Sequence, residues 1–159
     1  MTLAYVGIGS NLEEPRAQVS RAFDELARLP RTRLASRSSL YRTAPLGHAD
    51  QPDFINAVAA LDTELEAGEL LAQLQAIENR HGRRRSFRNA PRPLDLDLLL
   101  FGDARIARPE LVVPHPRMHQ RAFVLQPLLE ISPQARIPGI DSAAACLAAC
   151  ASQNIERIG

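Results

Sequence analysis

The sequence predicts an α+β sandwich built on a largely antiparallel sheet, and three observations predict it. Apolar residues alternate along some stretches and recur at helical spacing along others, in the order βαββαβ followed by a shorter αβα-like tail. No repeat, low-complexity linker or composition break divides the 159 residues, a length that suits one domain, 1–159, with a sizeable core. Hydrophobic residues make up 45% of the chain and charged residues 23%, which is an ordinary globular balance. This element order is that of a ferredoxin-like fold, with helices on one face of the sheet and the other face partly open to carry a site.

Residues 3–8 read as the first strand, running into the turn Gly9-Ser10-Asn11. A helix is expected from about Pro15 to Leu29, because Val19, Ala22, Phe23 and Leu26 share one face and Pro15 suits a helix start. Glu13 and Glu14 lie near its N-terminus, and Pro30 ends it. Two strands, about 33–43 and 54–63, flank a long loop over 44–52. Leu70, Leu71, Leu74 and Ile77 predict a second helix over about 66–80, stopped by Gly82. An Arg-rich loop then leads into the strand Leu94–Phe101, closed by Gly102-Asp103. A short strand near Leu111–Val113 and short helices at about 117–130 and 142–152 complete the chain.

Composition excludes several classes of function. No stretch approaches the ~20 apolar residues needed to cross a bilayer, and Met1-Thr2-Leu3-Ala4-Tyr5 lacks the basic start of a signal peptide, so a cytoplasmic protein is expected. Cys146 and Cys150 lie four apart in an Ala-rich stretch and read as small core residues rather than a disulfide framework. All 19 basic residues are Arg. There is thus no P-loop lysine and no Schiff-base lysine, and any grip on phosphate must come from guanidinium groups, backbone N–H groups or metal.

The sharpest chemical signal is Leu94-Asp95-Leu96-Asp97-Leu98. On a strand, alternate residues share a face, so both carboxylates point one way while the three leucines point into the core. Two like charges held close repel, and a cation between them relieves the repulsion. Magnesium binds through one or two carboxylates and completes its octahedron with water and substrate phosphates. Just upstream, residues 80–92 carry six arginines (Arg80, Arg83, Arg84, Arg85, Arg88, Arg92) and no acid. Arg80 and Arg84 read as solvated surface. The others can grip phosphate oxygens bidentately while the aspartates hold the metal that neutralises the same phosphates.

The run Arg88-Asn89-Ala90-Pro91-Arg92-Pro93-Leu94-Asp95-Leu96-Asp97-Leu98-Leu99 resembles the signature of the hydroxymethyl-dihydropterin pyrophosphokinases. The resemblance extends over nearly the whole chain. It takes in Gly9-Ser10-Asn11-Leu12, Tyr41 to Gly47, Gln51 to Asn56, Glu78 ahead of Gly82-Arg83, Val113-Pro114-His115, and Arg121 to Leu128. It implies transfer of pyrophosphate from ATP to the hydroxymethyl group of 6-hydroxymethyl-7,8-dihydropterin, with release of AMP, in folate biosynthesis. Asp95 and Asp97 would bind two Mg²⁺. Arg83 and Arg92 would act on the charge that builds during the displacement. Gln75, Glu78, Arg85, Arg88, Leu98, His115 and Arg121 would face ATP. Thr43, Pro45 and Leu46 would line the pterin pocket, Phe54 and Phe123 would sandwich the ring, and Asn56 would read its edge. A buried amide such as Asn56 needs hydrogen-bond partners.

The chain departs from the family pattern in three places. At Asn89-Ala90 many members carry Trp ahead of Gly-Pro-Arg, beside His115 an aromatic is also known where Pro116 stands, and Glu110 takes a place where a basic nucleotide contact occurs. These changes bear on ATP affinity and leave the reaction untouched. His48, His81 and His119 read as structural or surface residues. One rival reading is a regulatory module of ferredoxin-like fold that binds a small anion without catalysis, but such a binder gains nothing from two carboxylates beside the anion. The other is a nucleic-acid binder or metal nuclease, which would show a wider basic surface than a net charge of +1 allows. The expected partners are ATP and the pterin, with no nucleic acid, no membrane and a monomeric chain.

The clustered arginines between Gly82 and Pro91 repel one another until phosphate arrives, so this loop is expected to close only over bound ligands. Arg92, next to the expected strand in sequence, is expected to hold phosphate in either state. Arg83→Ala should therefore depress the chemical step more than ATP binding, whereas Arg92→Ala should depress both. Single-turnover kinetics set beside ATP-analogue titrations check this, and equal effects of the two changes would remove the distinction.

Overall fold

The computed structural model describes residues 1–44, 52–82 and 93–159. In chain order they form β1 (Thr2–Ser10), α1 (Pro15–Ala27), β2 (Thr32–Arg37), β3 (Tyr41–Thr43), β4 (Phe54–Thr63), α2 (Ala67–Arg80), β5 (Asp95–Phe101), β6 (Ile106–Arg108), β7 (Leu111–Val113), a 3₁₀ turn (Met118–Gln120), α3 (Ala122–Ile131), β8 (Arg136–Ile137), β9 (Asp141–Ser142), α4 (Ala143–Ala148) and β10 (Glu156–Arg157). The main sheet runs β10-β3-β4-β1-β5, with β2 also paired to β4, and every pairing in it is antiparallel. Each long helix joins strands that have one other strand between them, which is the ferredoxin-like arrangement the element order predicts.

Period-2 alternation sorts the strands into two faces. On one, Ala4, Val6 and Ile8 of β1, Ile55, Ala57, Ala59 and Leu61 of β4, and Leu94, Leu96 and Leu98 pack against Val19, Ala22, Phe23 and Leu26 of α1 and Leu70, Leu74 and Ile77 of α2. Leu71, expected in this core, is only partly buried against it. A reciprocal capping box between Glu66 and Glu69 starts α2, and Gly82, at φ 86°, follows its end in a conformation that a side chain would oppose. His81 joins the helices, one ring nitrogen against Gln18 Oε1 and the other against Glu25 Oε1. It is structural, as expected.

Three expectations need correction. First, helices cover both faces of the sheet. Val58, Leu99 and Leu100 lie in a second core beneath Ala122, Val124, Leu125 and Leu128 of α3 and Ala143 and Cys146 of α4. A register shift in the β1–β5 pairing gives this layer two adjacent leucines, Leu99 and Leu100, where strict alternation would supply one. Second, the strand expected over 33–43 is two strands on one edge of β4. At the break, Ser38 donates its N–H to Val58 O (2.9 Å) and its hydroxyl oxygen accepts from Val58 N (2.9 Å), so a side chain takes the place of a backbone partner. Third, the helix expected over 117–130 is a 3₁₀ turn and then α3, separated by Arg121 in extended backbone. The last expected helix is confined to Ala143–Ala148, and Cys146 and Cys150 are both buried in the second core.

Glu130 of α3 ties these layers together. It accepts from the Ser39 N–H (3.0 Å), the Ser39 hydroxyl (2.9 Å) and the Tyr41 hydroxyl (2.6 Å), and Arg157 of β10 stands 3.8 Å away. Burial works to raise the Glu130 carboxyl, but the hydrogen bonds from Tyr41 and Ser39 and the charge of Arg157 together hold it below the usual carboxylate value. Burial, then the bond to Glu130, pushes the Tyr41 phenol up to about 12.

The sign of each shift fixes a pH window. The Glu130 contribution is complete above its unfolded value and is lost as pH falls through the lower folded one; the Tyr41 contribution is complete below 10 and is lost as pH rises towards about 12. Glu130→Ala should cost roughly 1–3 kcal/mol at neutral pH by stranding its donors. Thermal unfolding across pH should show Tyr41→Phe converging on the wild type in the alkaline window. A constant gap there would contradict the assignment.

Candidate active site

Asp95 and Asp97 lie on β5, half-buried, on the face opposite Leu94, Leu96 and Leu98. Strand geometry puts them about 7 Å apart along the chain. In the register, Asp95 stands across from Gly9 and Asp97 from Gly7, and on the far side of β1 Gly9 stands across from Asn56. Gly9 leaves the Asp95 end of β1 without a side chain on the face that carries the aspartates, whereas Gly7 is buried under the Leu99 side chain, which a Cβ there would meet at 3.4 Å. A trough over Gly9 therefore separates Asp95 from Asn56. A Cβ on Gly9 would come within 3.1 Å of Asn56 Oδ1, so the glycine is needed for the close approach of that amide.

The Asn56 side chain is 5% exposed, and its Nδ2 donates to Thr43 Oγ1 at 2.9 Å. That bond fixes which way the amide points. Phe54 is half-buried at the start of the same strand. Across the trough, His115 is drawn to β5 by its backbone N–H, which donates to Leu99 O (2.9 Å). Its Nδ1 accepts from the Arg117 N–H (3.1 Å), which leaves the ring proton on Nε2. Burial, chiefly, and the charges of Arg121 and Arg117 lower its pKa from 6.5, against the opposing pull of Asp97. At neutral pH His115 is thus a neutral donor. Arg121, at the start of α3, lies over the Phe123 ring with its guanidinium carbon 5.4 Å from the centroid.

The structure therefore gathers Asp95, Asp97, His115, Arg121 and Phe123 at one side of the trough and Thr43, Phe54 and Asn56 at the other. Leu98 turns its side chain into the first core, away from the aspartates. Gln75 is exposed on α2, which packs on the opposite face of the sheet. Glu78 is 3% exposed and accepts from the Leu96 N–H at 2.8 Å. Arg83, Arg85, Arg88, Arg92, Pro45 and Leu46 lie outside the described residues. Gly9, expected in a turn after the first strand, lies instead within β1, which runs on to Ser10, where a glycine in a strand is a sign of close backbone or side-chain approach.

Among the described residues no group of three or more His, Cys, Asp or Glu side chains is placed to hold a metal. The carboxylate pair alone suits magnesium, which takes hard oxygen donors and draws its remaining ligands from water and phosphates. A zinc-type cage would need more protein donors.

Comparison with known proteins adds a lineage to this geometry. Residues 5–133 match the family model described as 7,8-dihydro-6-hydroxymethylpterin-pyrophosphokinase. The 2-amino-4-hydroxy-6-hydroxymethyldihydropteridine pyrophosphokinase of Pseudomonas aeruginosa is 53% identical over 154 residues, 97% of this chain and 95% of that protein. The Haemophilus influenzae protein of the same name is 46% identical over 87% of this chain and 86% of its own length. In fold, the chain is similar to the crystal structure of Plasmodium falciparum HPPK-DHPS with pteroate, with a TM-score of 0.74 at 13% identity, covering 96% of this chain and 43% of that longer one.

Proton titration of His115 tests the electrostatics at this site. Asp97→Asn should lower the His115 pKa further, by removing the charge that raises it, and Arg121→Ala should raise it. NMR of the imidazole protons across pH would read both shifts. Movement in the reverse sense for either variant would separate His115 from the carboxylates.

Proposed function

This chain belongs to the 7,8-dihydro-6-hydroxymethylpterin-pyrophosphokinase family, and from that premise we propose that it transfers pyrophosphate from ATP to the hydroxymethyl group of 6-hydroxymethyl-7,8-dihydropterin in folate biosynthesis. The observation that carries this reading is the match to a pyrophosphokinase 53% identical over 97% of this chain and 95% of that protein. In the reaction the hydroxymethyl oxygen gives up its proton to solvent and forms a bond to the β-phosphorus, the bond from that phosphorus to the α–β bridging oxygen breaks, and AMP leaves with that oxygen. No observation favours a non-catalytic anion-binding module or a nuclease.

In this reading Asp95 and Asp97 hold Mg²⁺, two ions with ATP bound. When bound, the metal neutralises phosphate charge and aligns the β-phosphorus for attack. The neutral His115 donates from Nε2 to a phosphate oxygen, and Arg121, steadied over Phe123, supplies positive charge. Phe54 and Phe123 cover the faces of the pterin, while Asn56, its amide oriented by Thr43, reads the ring edge. Arg83, Arg85, Arg88 and Arg92, with Pro45 and Leu46, enter through the family match and the sequence, whereas the Leu98 side chain, expected to face ATP, lies in the first core and Gln75 stands exposed on α2 at the opposite face of the sheet. Glu78 meets the Leu96 backbone. The enzyme is read as a single domain, 1–159, acting as a cytoplasmic monomer without a nucleic-acid partner.

Three substitutions separate the parts of this site. Asp97→Ala should abolish AMP release in saturating Mg·ATP and pterin while the protein stays folded, and wild-type turnover would sink the metal assignment. Asn56→Ala should weaken pterin binding by roughly 1–3 kcal/mol and leave ATP-analogue binding nearly unchanged. Gly9→Ala, which presses on Asn56 Oδ1 without altering its chemistry, should act in the same direction. Calorimetric titration of each ligand alone reads both changes, and equal losses for pterin and nucleotide would mean the pocket is misplaced.

A further inference from the structure

Glu78 stands where a carboxylate is costly. It lies in the last turn of α2, whose C-terminal end carries the negative pole of the helix, and it is 3% exposed. Its compensation includes the N–H of Leu96, held at 2.8 Å by Oε2. Leu96 is the residue between Asp95 and Asp97. Among the described residues β5 is the outermost strand of its side of the sheet, and no strand there receives this N–H beyond β5. Two residues before Asp95, Ser10 of β1 donates its hydroxyl to the carbonyl of Pro93. The chain entering the two-carboxylate strand is thus gripped from both sides, by Ser10 at Pro93 and by Glu78 at Leu96.

We propose that Glu78 is a positioning residue. It braces the edge strand through the Leu96 N–H, so that Asp95 and Asp97 are held ready for the cation before any ligand arrives. This replaces the sequence expectation that Glu78 faces the nucleotide, and it rests on the reading of the aspartates as metal ligands. A carboxylate pair on an unbraced edge strand would have to be ordered by the metal itself, which lowers affinity for it. The brace acts through an acceptor oxygen and needs no charge on Glu78.

That last point makes the proposal testable with Glu78→Ala and Glu78→Gln in the full chain. Hydrogen exchange at the Leu96 amide is followed in the free protein, and Mn²⁺ affinity is measured with a non-hydrolysable ATP analogue present. Glu78→Ala should lose Leu96 protection and weaken Mn²⁺ binding by about tenfold or more, as loss of a residue supporting metal ligands does. Glu78→Gln, whose amide oxygen accepts the same N–H, should keep both. If the glutamine protein loses metal affinity as fully as the alanine protein while its Leu96 amide stays protected, charge is the operative property and the brace is wrong. If Glu78→Ala lowers only the melting temperature and leaves Mn²⁺ affinity intact, Glu78 is merely structural and the proposal falls. Should the alanine protein not fold, Glu78→Gln decides alone: protection and affinity retained together support the brace, and loss of either overturns it. Turnover by the unmodified chain tests the pyrophosphokinase reading separately, so failure of that reading appears in the wild type and failure of the brace only in the variants.

Discussion

Side chains alternate along a strand, and in β5 that one rule places a core and a site back to back. Leu94, Leu96 and Leu98 enter the core beneath α1 and α2, so Asp95 and Asp97 have no choice but the other face. A slip of one residue would bury two carboxylates and expose three leucines, so the hydrophobic effect sets the register of the acidic pair. The pairing with β1 then decides what the acids look across. Asp97 stands across from Gly7, beneath the Leu99 side chain, and Asp95 looks across Gly9 towards Asn56.

The second helical layer completes the site by where it stops. α3 and α4 cover Val58, Leu99 and Leu100, but the Asp95 end of β5 lies beyond that cluster. The edge of the layer is where Arg121 and Phe123 stand, at the first turn of α3, beside the His115 segment pinned to Leu99. Polar groups at such an edge keep partial access to water while losing much of its screening. This is why His115 responds both to Asp97 and to the arginines around it. The Glu130 junction anchors the same layer from behind, joining α3 to Ser39, Tyr41 and the C-terminal strand.

Much of this was legible in the residues because the signals were local. The helical spacing of Val19, Ala22, Phe23 and Leu26, the stop at Gly82 and the alternation from Leu94 to Leu98 each depend on neighbours within a turn or a strand. The misread elements depend on distant ones. The break at Ser38 follows from its two hydrogen bonds to Val58, twenty residues away. Arg121 in extended backbone separates the 3₁₀ turn from α3 at a point that the apolar spacing of the tail does not mark. The covering of the second face needed the packing of α3 and α4, whose short apolar patterns do not say which surface they will meet.

By itself, the sequence determined which residues share a face, which acids form a pair, and, through a chain-long family pattern, the family to which the chain belongs. Those are matters of backbone period and residue type, and they are set before the chain folds back on itself. Tertiary structure alone decided that Gly9 lies beneath Asn56, that the His115 ring sits within reach of the charge on Asp97, and that the Glu78 carboxylate meets the Leu96 N–H eighteen residues on. Each joins strands or helices distant in the chain. Their meeting is fixed by sheet register and by the need of buried polar groups for partners, and neither can be read from a linear order of residues.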